Sequence, residues 1–179
     1  MKDISYRVAL GGIVSALCLT TMFISGIVPA LYIALPMIAG VLMMIISVEV
    51  STEWAFLTYL AVSLLSMFIT FDKEAALIFI MFFGHYPIIR FFIEKIKLKP
   101  LRAIVKFAVF NLCIISYFYV IVHLFGLVQM LEELEEYGKY GGLIMLAFVN
   151  IIFVLYDYNL KACYILYKVK LKPKFRRKQ

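Results

Sequence analysis

The side chains of this sequence that could do chemistry are few, and they lie inside long apolar stretches. One string, Phe82-Phe-Gly-His-Tyr-Pro-Ile-Ile-Arg90, places His85 and Tyr86 between Gly84 and Pro87, two residues that loosen or kink a helix. An imidazole in this position could bind a ligand or carry a proton. The alternative interpretation is an interior histidine whose hydrogen bonds are satisfied by the kinked helix.

Two later apolar stretches also carry polar side chains, which usually face the interior of a membrane bundle and often mark function. A lone ionised aspartate in lipid is costly, so Asp157 is expected to be protonated or paired, either with Lys161 one turn later or with Arg90. The residues predicted to bind a substrate are His85, Tyr86, Asn111, His123, Asn150 and Asp157.

Motifs of catalysis and of metal binding are missing from the sequence. It contains no phosphate-binding Walker loop, no His-Glu-x-x-His pair and no Gly-x-Ser-x-Gly elbow. The three cysteines lie singly in apolar stretches, which favours small core residues over disulfides or metal ligands. We therefore expect no enzyme activity, no cofactor and no metal site. The cysteines are Cys18, Cys113 and Cys163.

The composition indicates that lipid surrounds this chain. Hydrophobic residues make up 65% of its 179 residues, far above the proportion of about half that soluble domains carry. A soluble fold of this size could not bury that much apolar surface. The prediction is an all-α integral membrane protein, a compact bundle of six transmembrane helices in a single domain over residues 1–179. The predicted spans are 8–27, 31–50, 54–71, 75–92, 103–128 and 143–167.

Lysine and arginine favour the cytoplasmic side of membrane proteins, and here they are distributed unevenly between the two predicted sides. With the N-terminus inside, the cytoplasmic segments contain Lys2, Arg7 and the basic stretches 90–106 and 168–178, whereas the outer loops contain only Lys73 and Lys139. This bias predicts a multi-pass membrane protein with both termini on the cytoplasmic side. Because both basic stretches adjoin apolar runs, they indicate contact with the lipid bilayer and no nucleic-acid binding.

The first predicted helix carries small residues at helical spacing. Gly12 and Ala16 are four residues apart, as are Gly11 and Ser15, and with Ala9 they predict a smooth strip on one face that allows another backbone to approach closely. Two interpretations are open, docking of a partner subunit and ordinary packing within the same bundle.

The predicted turns have their own signals. Glu49 and Glu53 are four residues apart, and continuous helical geometry would place them on one side. Asp72 is a predicted N-cap, with Glu74 in the first turn of the helix that follows. The loop 131–142, with four glutamates, is either a short amphipathic lid over an outward cavity or a solvated loop.

Two strings carry a family resemblance. Arg7-Val-Ala-Leu-Gly-Gly-Ile-Val-Ser-Ala-Leu17 and Tyr32-Ile-Ala-Leu-Pro-Met-Ile-Ala-Gly40 resemble the S components, the substrate-binding membrane subunits of energy-coupling factor transporters. The chain also resembles a group of uncharacterised Firmicute membrane proteins, through 72–76 and 82–88. The first resemblance implies capture of a vitamin, metal or related small molecule near the outer face. It also implies a transmembrane coupling subunit and two ATPases as partners, docked through Ala9, Gly12 and Ala16.

The alternative function is of a different class. A non-enzymatic scaffolding protein, similar to the rod-shape determinant of the cell-wall machinery, would have a comparable size and helix count. It would have a tightly filled interior, whereas the transporter subunit would have a cavity lined by helices 4 to 6.

Overall fold

The computed structural model describes residues 4–124 and 140–172, and these residues are helical throughout apart from short connections. The predicted all-α class is therefore confirmed for the described part of the chain. The helices are α1 (Ile4–Ile27), α2 (Ala34–Glu49), α3 (Thr52–Ile69), α4 (Lys73–Ile93), α5 (Lys99–Leu124) and α6 (Gly141–Leu166, continued by a π-helical turn, Tyr167–Leu171).

Five of these six helices are long and apolar enough to cross a membrane, and the shorter apolar helix is α2. Its 16 residues extend about 24 Å at the α-helical rise, less than a hydrocarbon core of roughly 30 Å. The predicted span 31–50 is shortened because a 3₁₀ turn, Pro29–Leu31, and a further turn at 32–33 precede the start of the helix at Ala34. The orientation in the membrane stays a prediction.

Helix α5 begins earlier than predicted, at Lys99 in place of Ala103. As a result Arg102 and Lys106 lie on the helix, one turn apart. The predicted end of this helix at residue 128, most of the loop 131–142 and the basic tail from 173 lie outside the described residues.

The described helices divide into two compact units, the first containing α1 to α5 and the second α6. In the first unit α1 lies against α2 and α3, with Val14, Cys18 and Met22 on its buried side. The most buried of the long spans is α4. The polar string predicted to be functional therefore lies at the core of this unit.

The turns show how these helices begin and end. Val50 ends α2, and the Ser51 hydroxyl caps α3 by accepting a hydrogen bond from the Trp54 N–H at 3.3 Å. Glu49 and Glu53 therefore lie on either side of the turn that joins the two helices, and continuous helical geometry does not relate them.

Asp72 caps α4, as predicted. Its Oδ1 accepts hydrogen bonds from the backbone N–H groups of Glu74 and Ala75, each at 3.0 Å. The Lys73 ammonium donates to the Met67 and Thr70 carbonyls at the end of α3, at 2.7 and 3.0 Å. The adjacent side chains of Asp72 and Lys73 thus stabilise the beginning of α4 and the end of α3, and they set where α4 enters the core.

Candidate functional site

The central helix α4 is distorted where the sequence predicts a kink. Residues Phe79–Phe83 are π-helical, and the Gly84 N–H bonds the Phe79 carbonyl at 2.8 Å. In a regular α-helix this N–H would bond the Ile80 carbonyl. π-helical turns occur frequently at functional sites. The surroundings of the Ile80 carbonyl are therefore a candidate functional site.

Two side chains donate to the Ile80 carbonyl. The Tyr59 hydroxyl of α3 reaches it at 2.7 Å, and His85 Nδ1 reaches it at 3.2 Å. A carbonyl only accepts, so Nδ1 carries the proton in this arrangement. The other ring nitrogen, Nε2, then presents its lone pair to the Cys113 thiol of α5 at 3.6 Å. We call Tyr59, Ile80, His85 and Cys113 the carbonyl cluster; it joins α3, α4 and α5.

Aromatic side chains fill the space beside the carbonyl cluster. Tyr86 is fully buried, and its ring lies 4.8 Å from that of Phe82, which in turn meets Phe110 of α5 edge to face at 5.0 Å. Phe79 is also fully buried and lies beside the Tyr59 ring. The interior around α4 is therefore closely filled by rings.

The glycine of this helix has a steric role. A Cβ atom at Gly84 would lie 2.6 Å from Tyr59 Cδ2 and 3.0 Å from Phe79 Cε1. The backbone of Gly84 is ordinary α-helix, with φ −72° and ψ −43°. The glycine is needed for the close approach of the Tyr59 ring and not for its own backbone conformation.

Replacing Tyr59 with phenylalanine tests the hydroxyl at this site. The hydroxyl bonds a carbonyl that the π-helical turn has withdrawn from its usual partner, so its loss is expected to lower the free energy of unfolding by about 1 kcal/mol. Tyr158→Phe, at an exposed position of α6, is the matched control and should change it by much less. Equal stability of the Tyr59 variant and wild type in reversible denaturant titration would contradict the assigned role.

A second polar cluster lies where α4 ends. Glu94 Oε1 meets Arg90 at 3.2 Å and Lys106 at 2.6 Å, and its Oε2 meets Arg102 at 3.0 Å. The side chains of Arg90 and Lys106 are only 8% and 12% exposed, so these charges are held away from water. We call Glu94 and these three cations the Glu94 cluster; it fastens the end of α4 to the first turns of α5.

The three cations change the acidity of Glu94. Partial burial by itself would raise the pKa of this carboxyl, but the Lys106 hydrogen bond and the charges of Lys106, Arg90 and Arg102 outweigh burial and hold the pKa below its ordinary value. Glu94 is therefore ionised at neutral pH.

The small residues of α1 do not all lie on one side of the helix. Ala9, Gly12 and Ala16 all lie on the side away from its buried residues, and a Cβ atom at Gly12 would meet no described atom within 4 Å. By contrast, a Cβ atom at Gly11 would lie 3.6 Å from the Thr58 hydroxyl of α3. Of the two neighbouring glycines, Gly11 faces the other helices and Gly12 faces outward.

The predicted substrate-binding residues of the first unit lie in different surroundings. His85 and Tyr86 lie in the core around α4. Asn111 Nδ2 donates to the Phe107 carbonyl of its own helix at 2.8 Å, and the exposed His123 ring lies 3.1 Å from the Tyr119 carbonyl. His123 is ten residues beyond Cys113 on α5, about 15 Å along the axis, so the two histidines belong to different places.

Two more of these residues lie on α6, in the second unit. Asn150 Nδ2 donates to the Leu146 carbonyl one turn earlier at 2.7 Å, and Asp157 is half-buried. The predicted partner of Asp157, Lys161 or Arg90, stays a prediction, as does substrate binding by all six residues.

Comparison with known proteins identifies no relative. The chain matches no family model, no curated protein and no solved structure. The resemblance to S components therefore depends on the two sequence strings near the N-terminus.

Sequence reasoning missed Glu94 and Tyr59. Glu94 had a usable signal, since it is the one acidic residue in the basic stretch 90–106 and follows Arg90 by four residues. Tyr59 had none, because its partner carbonyl is 21 residues away and becomes available only through the π-helical turn. Cys113, interpreted as an apolar core residue, is half-buried beside His85.

Proposed function

We propose that this protein is the substrate-binding membrane subunit of an energy-coupling factor type uptake transporter in the bacterial plasma membrane, with both termini cytoplasmic. It would capture a vitamin-like small molecule and dock on a transmembrane coupling subunit that works with ATPases. The observation that carries the proposal is the exposed strip of Ala9, Gly12 and Ala16 on α1.

The strip supports docking for a physical reason. In lipid, helices associate by close van der Waals packing, and small residues allow their backbones to approach. Within the first unit α1 uses its opposite side, with Val14, Cys18 and Met22, to pack on α2 and α3. The small residues therefore lie on the side of α1 that the described helices of this unit leave uncovered, where they are open to a partner helix.

The substrate class comes from the resemblance, which implies a vitamin or related molecule. Polar groups set in apolar helices supply hydrogen-bonding capacity for such a ligand. In the first unit the exposed His123 and half-buried Asn111 are the better candidates, because His85 and Tyr86 already serve the core.

A second candidate function is the non-enzymatic scaffolding protein, and one observation favours it. Both ring nitrogens of His85 have neighbours, the Ile80 carbonyl and the Cys113 thiol, and Tyr86 is fully buried among aromatic rings. A closely filled interior of this kind suits a protein that assembles others without binding a ligand.

Replacing Gly12 with leucine tests docking on α1. The added side chain would project from an open position, so the variant is expected to fold normally and to lose its membrane partner, with recovery of the partner falling at least about tenfold, as for loss of a close helix–helix contact. Gly142→Leu makes the same change at another open glycine, on α6, and should leave recovery unchanged. Full recovery with the Gly12 variant would argue against this face.

The two functions differ in what the protein brings with it. Affinity purification in mild detergent, followed by mass spectrometry of bound proteins and small molecules, should recover an ATPase module and a small organic ligand. Recovery of wall-synthesis proteins, without either, would reject the transporter subunit in favour of the scaffold.

A further inference from the structure

The connection between α4 and α5, together with the first residue of α5, presents three lysines to the surroundings. Lys95 and Lys97 lie in the connection and Lys99 begins α5, and all three are exposed. We call these three residues the lysine turn. It is independent of the α1 strip that carries the proposed function.

No neighbouring acid offsets the charge of the lysine turn within its own stretch. Glu94 is the only acidic residue between Arg90 and Lys106, and its two oxygens already meet three other cations. The first turn of α5 also contains no acidic side chain. The lysine turn is therefore a concentrated positive surface.

The lysine turn is held in place on both sides. The Lys95 and Ile96 N–H groups bond the Phe92 and Ile93 carbonyls at 3.1 and 3.0 Å, and Arg102 N–H bonds the Leu98 carbonyl at 3.0 Å. Across the connection, the Glu94 cluster ties α4 to α5. Its position is thus set before any ligand arrives, which lowers the entropic cost of binding.

Large apolar side chains flank the same lysines. Leu98 is 63% exposed and Ile104 is 64% exposed, and Phe92 and Leu101 are also exposed. In a water-facing binding site for an acidic peptide, these apolar side chains would stay exposed to water. At a membrane surface they would contact the acyl chains, which lie directly beneath the charged headgroups. The combination of exposed cations with exposed aliphatic groups therefore fits a lipid better than a soluble anion.

We propose that the lysine turn, with Leu98 beside it, is a binding site for the phosphate headgroups of anionic phospholipids. Lys97 and Lys99 contact the headgroup, and Leu98 and Ile104 lie against the acyl chains. Glu94 contributes by positioning, since it holds the connection in one shape and neutralises the cations that face inward. Zwitterionic lipids carry no net charge and are retained less.

Native mass spectrometry of the full chain tests this site. Protein released from mixed micelles of phosphatidylglycerol and phosphatidylcholine is expected to retain the anionic lipid selectively. Each lysine near an anionic surface contributes about fivefold in affinity, so the double variant K97Q/K99Q should bind phosphatidylglycerol about 25-fold more weakly. Because both side chains are exposed, the variant should elute from a sizing column as wild type does.

The double variant K97R/K99R is the matched control, because it keeps both charges and should retain the lipid. Undiminished binding by K97Q/K99Q, loss by K97R/K99R, or equal retention of the two lipids by wild type would each overturn the site. A photo-crosslinking residue at Leu98 gives an independent reading: labelling of phosphatidylglycerol supports the proposal, and labelling of a protein partner alone overturns it.

Discussion

Replacing Gly84 with alanine is expected to lower the free energy of unfolding by about 1–3 kcal/mol, the usual cost of overpacking a core. The single added carbon would lie 2.6 Å from the ring of Tyr59 and 3.0 Å from that of Phe79. These are rigid rings, and Tyr59 is further held by its hydroxyl on the Ile80 carbonyl at 2.7 Å. Relieving the clash with Tyr59 requires moving α3 away from α4 or rotating the ring off its hydrogen bond.

The direction of this effect is informative because helix propensity predicts the opposite. Alanine in a helix interior is better than glycine by about 1 kcal/mol, and Gly84 already has α-helical dihedral angles. Any loss of stability must therefore come from the clash with the Tyr59 and Phe79 rings. Reversible denaturant titration in mixed micelles measures the change.

Gly12→Ala is the matched control for this experiment. Its Cβ atom would meet nothing within 4 Å, so propensity alone should act and the variant should be as stable as wild type or more so. Trimming Tyr59 to leucine should make the Gly84→Ala change less costly than it is alone, because the two sites share one contact. If Gly84→Ala stabilises as Gly12→Ala does, the close approach of α3 and α4 is refuted.

Glu94→Gln is expected to lower the free energy of unfolding by about 2–4 kcal/mol. Removing one partner of a buried charge pair costs about 3–5 kcal/mol, and the solvent that reaches the one-third exposed Glu94 screens part of that. Glutamine retains the shape and some hydrogen bonding but loses the attraction to Arg90, Arg102 and Lys106. The end of α4 should then separate more easily from α5.

The same cluster predicts a dependence on pH. The pKa of Glu94 is lower in the folded protein than its ordinary value of 4.5, so the folded state favours the ionised carboxylate. This stabilisation is fully present above pH 4.5 and declines as the pH falls through the folded-state pKa. The difference in the free energy of unfolding between wild type and Glu94→Gln should be constant near neutral pH and should decrease in acid.

Glu53→Gln is the control for charge removal. Glu53 is exposed in the first turn of α3, where a carboxylate gains only about 0.3–1 kcal/mol from the helix dipole. A Glu94 variant that unfolds at the same denaturant concentration as the Glu53 variant would show that the ion pairs contribute little. A difference in the free energy of unfolding between wild type and Glu94→Gln that persists unchanged well below pH 4.5 would lead to the same conclusion.

The sequence alone was enough to predict the features that depend on neighbours along the chain. Long apolar runs predicted the helices, because in lipid every backbone polar group must be satisfied internally. Asp72 was predicted as an N-cap because its carboxylate reaches N–H groups two and three residues later. Gly84 and Pro87 marked the part of α4 that is distorted, although Gly84 itself has ordinary α-helical dihedral angles.

Tertiary structure decided which of these residues meet. His85 and Cys113 are 28 residues apart and come together because α4 and α5 pack side by side, which no local pattern encodes. The side of α1 that faces outward also depended on packing: small residues suit a close contact on either side, and only the position of α3 beside Gly11 leaves Gly12 open. The apolar runs of this chain thus determined its helices, whereas the partners of its polar groups followed from how those helices pack.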